Sequence, residues 1–282
     1  MARKRANLTD LLNNLTFKVL FEKYKLISMN RFKWNNLPDG ILERHVEREL
    51  FSNGKAIFYR RKDHGCVCLR CDPSGQVNFY NDPLSYIASG VGFTDQVEAD
   101  KCVIIENNML RIPTEDIVMF YVNKLAEAER TMDVNVKSNK TPVLLLCDST
   151  NLLTFKTIFS KVDGNEPAIF ADSKLNPDSI TALDMKAKFL GNDLMDYKHS
   201  VEAELLTYLG INNPAVDKKE RLITDEANSN NQLIQSFADL QLEARERACE
   251  EINAMFGLNI SVELRQSVEN AVETVESEGP EE

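Results

Sequence analysis

Apolar residues recur at helical spacing in four stretches of the chain, with period-two runs between them. Leu11, Leu12, Leu15, Val19, Leu20, Tyr24 and Ile27 keep a 3.6-residue period, which predicts a first helix running to about Phe32. The turn residues of "WNNLPDG" end it. From residue 41 to 111 the period shortens: "KAIFYRR", "GCVCLRC", "QVNFY", "SYIASGVGF" and "KCVIIEN" read as short strands separated by the turns "DHG", "DPSG" and "NDP". "IPTEDIVMFYVNKLAEAERTMDVNV" returns to a helix. Thr114 can cap it, Glu115 and Asp116 favour its N-terminus, and Ile117, Phe120, Tyr121, Leu125, Ala128 and Met132 trace one face.

"KTPVLLLCD" opens a second β region, with "EPAIFAD" as its expected partner strand. A helix over about Asp193–Leu209 follows, with Leu194, Tyr197, Val201, Leu205 and Tyr208 in register and Gly210 as its stop. Then comes a connector, "KKERLITDEANSNNQ", with no apolar period through most of its length. The last helix is expected over about Ile234–Phe256, with Phe237, Leu240, Ala244, Ala248, Ile252 and Met255 on its stripe; Gly257 closes it and "NISVELR" alternates as a strand. Strand and helix runs do not alternate as βαβ units, so the fold class is α+β.

Composition narrows the possibilities. The chain has 282 residues, 43% of them hydrophobic and 27% charged, the balance of a globular protein that can bury a real core. No apolar run approaches the roughly 20 residues that span a bilayer, and "MARKRANLTDLL" lacks the apolar region of a secretory leader. The expectation is therefore a product made in a cytoplasm, with no membrane partner. The net charge of −11 is unevenly placed: residues 1–34 hold eight Lys/Arg against two acids, and residues 239–282 hold twelve acids against three Arg. Such asymmetry suits a basic arm for an anionic partner and a solvating acidic tail.

Catalytic chemistry is hard to find. Cys66, Cys68 and Cys71 form C-x-C-x-x-C near His64, but no second pair follows at zinc-ribbon spacing. They read as inward-facing strand cysteines, and Cys102, Cys147 and Cys249 as apolar residues of strands or a helix. There is no phosphate loop and no nucleophile elbow. His45 in "ERHVERE" reads as part of a solvated helix face. The acids of "TDE" (Thr224–Glu226) could hold Mg²⁺ but in a polar loop are more often solvated. No metal, no cofactor and no catalytic residue is expected.

The connector and its flanks carry a resemblance. "KKERLITDE" (Lys218–Glu226), preceded by "LTYLGINN" (Leu206–Asn213), resembles the portal protein of small short-tailed phages of Gram-positive bacteria, the picovirus group. That protein is also called the upper collar or head–tail connector. "ARKR" (Ala2–Arg5), "WNNLP" (Trp34–Pro38), "SGQVNFYN" (Ser74–Asn81), "KTPVLL" (Lys140–Leu145), "GNEPAIFA" (Gly164–Ala171) and "ACEEINAMFGLN" (Ala248–Asn259) match in the same order. The likeness is continuous from about residue 140 to 260 and weakest over 41–111.

This resemblance implies a portal fold with long channel-lining stem helices, a small β-rich wing region and an α/β clip. It maps residues 1–112 to a basic arm and wing, 113–139 to the first stem helix, 140–192 to the clip and 193–211 to the second stem helix. Residues 212–233 become the channel loop, 234–267 a wing helix and strand, and 268–282 an acidic tail. It further implies a homo-oligomeric ring of about twelve subunits, closed by head-to-tail contacts, at one capsid vertex of the virion. Implied partners are double-stranded DNA, the capsid protein, a separate packaging ATPase, lower collar and tail proteins and, in some members, a packaging RNA. Lys198, Lys218 and Lys219 match channel lysines, while Arg3, Lys4 and Arg5 match the basic stretch that contacts motor or RNA. Where the family has another lysine this chain has Asp193. The resemblance implies no enzyme. The readings set against it are a metal-dependent nucleic-acid enzyme and a monomeric scaffold.

Overall fold

The computed structural model describes residues 8–140, 143–146, 181–184, 188–212 and 224–265, with side chains over 14–136, 188–212 and 231–265. In chain order the described elements are α1 (Leu8–Met29), β1 (Phe32–Asn35), α2 (Glu43–Asn53), β2 (Lys55–Arg61), β3 (Gly65–Val77), β4 (Pro83–Gly90), β5 (Phe93–Glu98) and β6 (Cys102–Glu106). They continue with α3 (Thr114–Lys140), β7 (Val143–Leu146), β8 (Thr181–Asp184), α4 (Gly191–Tyr208), α5 (Thr224–Phe256) and β9 (Ser261–Leu264). The chain divides into two compact units, one of Met1–Ala126 with His199–Glu282 and the other of Glu127–Lys198. Helices and small antiparallel sheets stay segregated, so the fold is α+β.

The first unit is built on an antiparallel sheet of order β5-β4-β3-β2-β6. β2 occupies the residues its apolar run predicts, and both its faces are covered. Ala56 and Phe58 face one core with Val46, Leu50 and Ile252, while Ile57 and Tyr59 face another with Tyr86 and Ala88. That is why the strand reads as continuously apolar rather than alternating. β3 runs through "DPSG", which sequence spacing marks as a turn. A register shift between Ser74 and Val77 and a left-handed Gly75 (φ +74°) absorb those residues as a bulge. β5 escapes the pattern because "FTDQVE" is mostly polar; it is an edge strand held by backbone pairing to β4.

Three further departures have local causes. The first helix stops at Met29 rather than Phe32, because Phe32–Asn35 pair antiparallel with Ser261–Leu264. "ERHVERE" does form a helix, α2, and its first turn meets solvent, with Glu43 and His45 partly exposed, but Glu47 and Glu49 are buried with Val46, Leu50 and Phe51. α5 begins at Thr224, ten residues before the expected start at Ile234. The run from Thr224 to Gln232 has no apolar period to reveal it, yet no Pro or Gly to break it. In the second unit β7 pairs with β8; the expected partner "EPAIFAD" lies outside the described residues.

Candidate stem helices and the buried junction that anchors them

α3 and α4 pack on each other within the first unit. Val118, Val122 and Leu125 of α3 meet Val201, Leu205 and the following Leu209, with Tyr24 of α1 and Phe51 of α2 closing the cluster. The buried stripe of α3 is offset from the expected one, so Phe120 is exposed. "IVMFYV" (117–122) is apolar all round, and such a run leaves the phase of the stripe undetermined. Gly210 ends α4 as expected: φ is +65°, and a Cβ there would come within 2.7 Å of the Ala238 backbone on α5. α1 is tied to α4 by Glu202, whose Oε1 accepts from the Tyr24 hydroxyl (2.5 Å) and from Lys23 Nζ (2.9 Å).

In the second unit the two helices are joined by polar contacts. Lys198 of α4 donates to Glu129 of α3 and is 23% exposed. Asn135 holds the approach to α4 with both ends of its amide, donating to the Lys188 carbonyl (2.9 Å) and accepting from the Leu190 amide (3.0 Å). Lys198 is thus a paired cation rather than a bare one, with Asp193 and Asp196 exposed on the same helix. Lys218 and Lys219, and Arg3, Lys4 and Arg5, lie outside the described residues.

Sequence reasoning missed the most constrained side chain of all. Arg245 is 2% exposed and lies at the centre of the first unit. Its Nε and Nη2 make a bidentate pair with Glu47 of α2, each at 2.9 Å. Nη1 donates to the carbonyls of Gln241 (2.9 Å) and Asn107 (3.2 Å), and Nη2 also reaches Asn107 Oδ1 (3.1 Å). The guanidinium lies 3.9 Å from the centre of the Phe32 ring, the stacking that its planar cation favours. Glu47 Oε1 takes a third bond, from Trp34 Nε1 at 2.9 Å.

Asn107 extends this junction by donating to the Thr114 hydroxyl at the start of α3 (2.9 Å). Gln241 donates to the Tyr208 carbonyl at the end of α4 (3.3 Å) and accepts from Arg31 Nη1 (2.7 Å). Burial, with Arg245 as a nearby like charge, lowers the Arg31 pKa to about 9. The start of α3 and the end of α4 are therefore both tied to α5, through Asn107 to Arg245 and through the Tyr208 carbonyl to Gln241. The faint signal was phase: Gln241, Arg245, Ala248 and Ile252 follow i, i+4, i+7, i+11, a core stripe with a charge in it.

The cysteines behave as small apolar groups. Cys66 and Cys68 pack on one face of the sheet and Cys71 on the other, so the three cannot converge on one ion. Among the described residues no three His, Cys, Asp or Glu form a metal-binding group. Burial raises the thiol of Cys68, and pushes Cys71 and Cys249 to about 12 and Cys102 to about 11. Cys147 lies outside the described residues.

The family model described as Phage Connector (GP10) matches residues 2–269. The chain belongs to that family. It is a portal, or head–tail connector, protein of the bacteriophage virion, and the family is structural rather than enzymatic. Among solved structures the chain is similar to one in the portal and tail of native bacteriophage P68, at 17% identity and a TM-score of 0.49, covering 99% of this chain and 100% of that one. It is also similar to an HK97 family phage portal protein from Corynebacterium diphtheriae, at 10% identity and a TM-score of 0.49, covering 100% of both chains. A third is in the neck of a native gene transfer agent particle computed with C12 symmetry, at 11% identity and a TM-score of 0.46, covering 94% of this chain and 83% of that one. No described helix of this connector is long and apolar enough to cross a membrane.

Proposed function

We propose that this connector assembles into a closed ring of about twelve head-to-tail copies at one capsid vertex. The ring conducts double-stranded DNA during packaging and ejection, and docks the capsid protein, packaging ATPase and lower collar and tail proteins. The observation that carries the reading is the family match over residues 2–269. Supporting it, α3 and α4 pack as neighbours while Phe120 and Tyr197 stay exposed, as groups that meet another copy would.

On this reading α3 and α4, with residues 113–139 and 193–211, are the stem. Residues 140–192 are the clip and 212–233 the channel loop. Residues 1–112 and 234–267 form the arm and wing, and 268–282 a solvated acidic tail. Arg3, Lys4 and Arg5 contact the motor or a packaging RNA. A channel must let DNA slide, and each phosphate neutralised by Lys or Arg adds affinity through counterion release. Pairing of Lys198 with Glu129 leaves few cations able to grip, so Lys198, Lys218 and Lys219 touch phosphates only transiently. Polar contacts of this kind carry no sequence readout.

The test is the native mass of the purified protein with negative-stain images of the same sample. Rings with a central hole are expected. A species that stays monomeric at high concentration would return the monomeric scaffold to the front.

A further inference from the structure

The hairpin of β3 and β4 ends in a turn that displays two aromatic rings to solvent. Phe79 is fully exposed and Tyr80 is 86% exposed. The turn is rigid. Asn78 Oδ1 accepts from the amides of Tyr80 (2.8 Å) and Asp82 (2.9 Å), the Asn78 amide donates to the Asp82 carbonyl (2.9 Å), and Asn81 sits at φ +65°. Aromatic rings held out on an ordered turn lose little entropy on docking, and such residues dominate interface energetics.

At the other end of β4 lies a groove of about 470 Å³ with a mostly apolar lining. Leu69, Gly90 and Val91 form its apolar part, and Arg48 and Arg70 stand at its edge. Both guanidiniums are more than half exposed, each with one local carboxylate, Glu49 and Asp72 respectively. Surface pairs of that kind exchange readily, and a guanidinium prefers an aromatic face. The tip brings two aromatic rings and, in Asp82, a carboxylate whose described cation, Arg111, is 3.7 Å away.

Tip and groove bracket β4 itself, Pro83–Gly90, a separation of about 25 Å at the rise of an extended strand. A chain cannot fill its own groove with its own tip. Two different, complementary patches on one rigid hairpin are what a heterologous, head-to-tail contact requires. We infer that the Phe79–Tyr80 tip of one copy docks in the Leu69–Val91 groove of the next, flanked by Arg48 and Arg70, as a repeating contact between wings. The inference rests on the ring reading and names residues that join its subunits.

The test places both halves of the contact in one chain, Tyr80→Cys with Ser89→Cys, and oxidises the purified assembly. Tyr80 is exposed and Ser89 partly so; Cys68, Cys71, Cys102 and Cys249 are buried, and Cys66 and Cys147 are replaced by Ser in the parent of all these variants. A denaturing gel should show a ladder of linked chains, while either single variant should show none. F79A/Y80A should raise the protein concentration at which half the chains are assembled by about tenfold or more. Rings that persist without a ladder, and with an unchanged midpoint in F79A/Y80A, overturn the docking and leave the ring standing. F79A/Y80A rings of normal midpoint that fail only to join the capsid shell assign the tip to capsid protein, and overturn it too. A parent protein that never forms rings overturns both readings.

Discussion

Two ion pairs join helices far apart in sequence, and their surroundings could hardly differ more. Arg245–Glu47 is buried, bidentate, stacked on Phe32 and completed by Asn107, Gln241 and Trp34. Lys198–Glu129 is a single contact between partly exposed side chains, 23% and 32% accessible. Coulomb attraction is common to both, so the difference lies in desolvation. Charges taken out of water must be completely satisfied by their partners, which makes the first pair unforgiving. Charges left near water can swap partners at little cost. If the connector conducts DNA as proposed, both kinds have a use, a fixed junction to hold its helices and a soft lining for a moving polyanion.

The sharpest attack on that contrast is to remove one member of each pair. Arg245→Met leaves Glu47 buried with only Trp34 as a described side-chain donor, and should lower stability by about 3–5 kcal/mol in urea unfolding. The double variant Arg245→Met with Glu47→Leu should recover part of that loss, because no charge is then stranded. A cost below 1 kcal/mol for Arg245→Met would mean the junction is wetter than its geometry indicates. Alkaline pH probes the same core from another side. The folded thiols of Cys68, Cys71, Cys102 and Cys249 keep protons that unfolded thiols, at about pH 9, release. The folded state binds more protons above that pH, so stability falls as pH rises. Arg31 opposes this, since it gives up its proton near pH 9 when folded and holds it to far higher pH when unfolded. Four thiols outweigh one guanidinium, and a net loss of about 4 kcal/mol between pH 8 and 10 is expected from unfolding midpoints.

Backbone geometry gives a smaller effect at the edge of the junction. Gly54 has φ +72°, and a Cβ on it would lie 2.1 Å from the Arg111 carbonyl oxygen. Its own carbonyl accepts from the Asn107 amide at 2.9 Å. Gly54→Ala should therefore displace Asn107, a ligand of Arg245, and cost about 1–3 kcal/mol. Chemical unfolding of this variant against Gly40→Ala, which meets no atom within 4 Å, separates the clash from the shared backbone strain.

How much of this the sequence revealed depends on range. Local signals held: β2 spans the predicted Lys55–Arg61, and Gly210 and Gly257 end their helices in left-handed conformations. Apolar period failed where a run was apolar all round, as in "IVMFYV", or polar throughout, as at the start of α5. The junction was invisible for a stricter reason. Glu47 and Arg245 are 198 residues apart, and each looks like a solvated charge until α2 and α5 are in register. Sequence likeness, by contrast, integrates weak matches along the whole chain, which is how family membership could be read when no single site residue announced it. The lysines and N-terminal arginines singled out by that likeness are mostly outside the described residues, so Lys198 is the one whose setting can be tested against geometry.

Lys198 therefore closes the comparison. A partly exposed pair joining two helices is worth about 0.2–1 kcal/mol, so Lys198→Ala should barely move the unfolding midpoint. Glu129→Ala should be equally mild, and a double-mutant cycle should return a coupling below 1 kcal/mol. The two variants should differ in DNA handling. Glu129→Ala leaves a bare cation, and each extra phosphate contact steepens the salt dependence of binding by about one unit for duplex DNA. Isolated assemblies of Glu129→Ala should thus hold DNA more tightly at low salt and lose that excess as salt rises, while Lys198→Ala should hold it less. Identical salt slopes for both variants would place Lys198 away from the DNA path, and its pair with Glu129 would then be only a strut between helices.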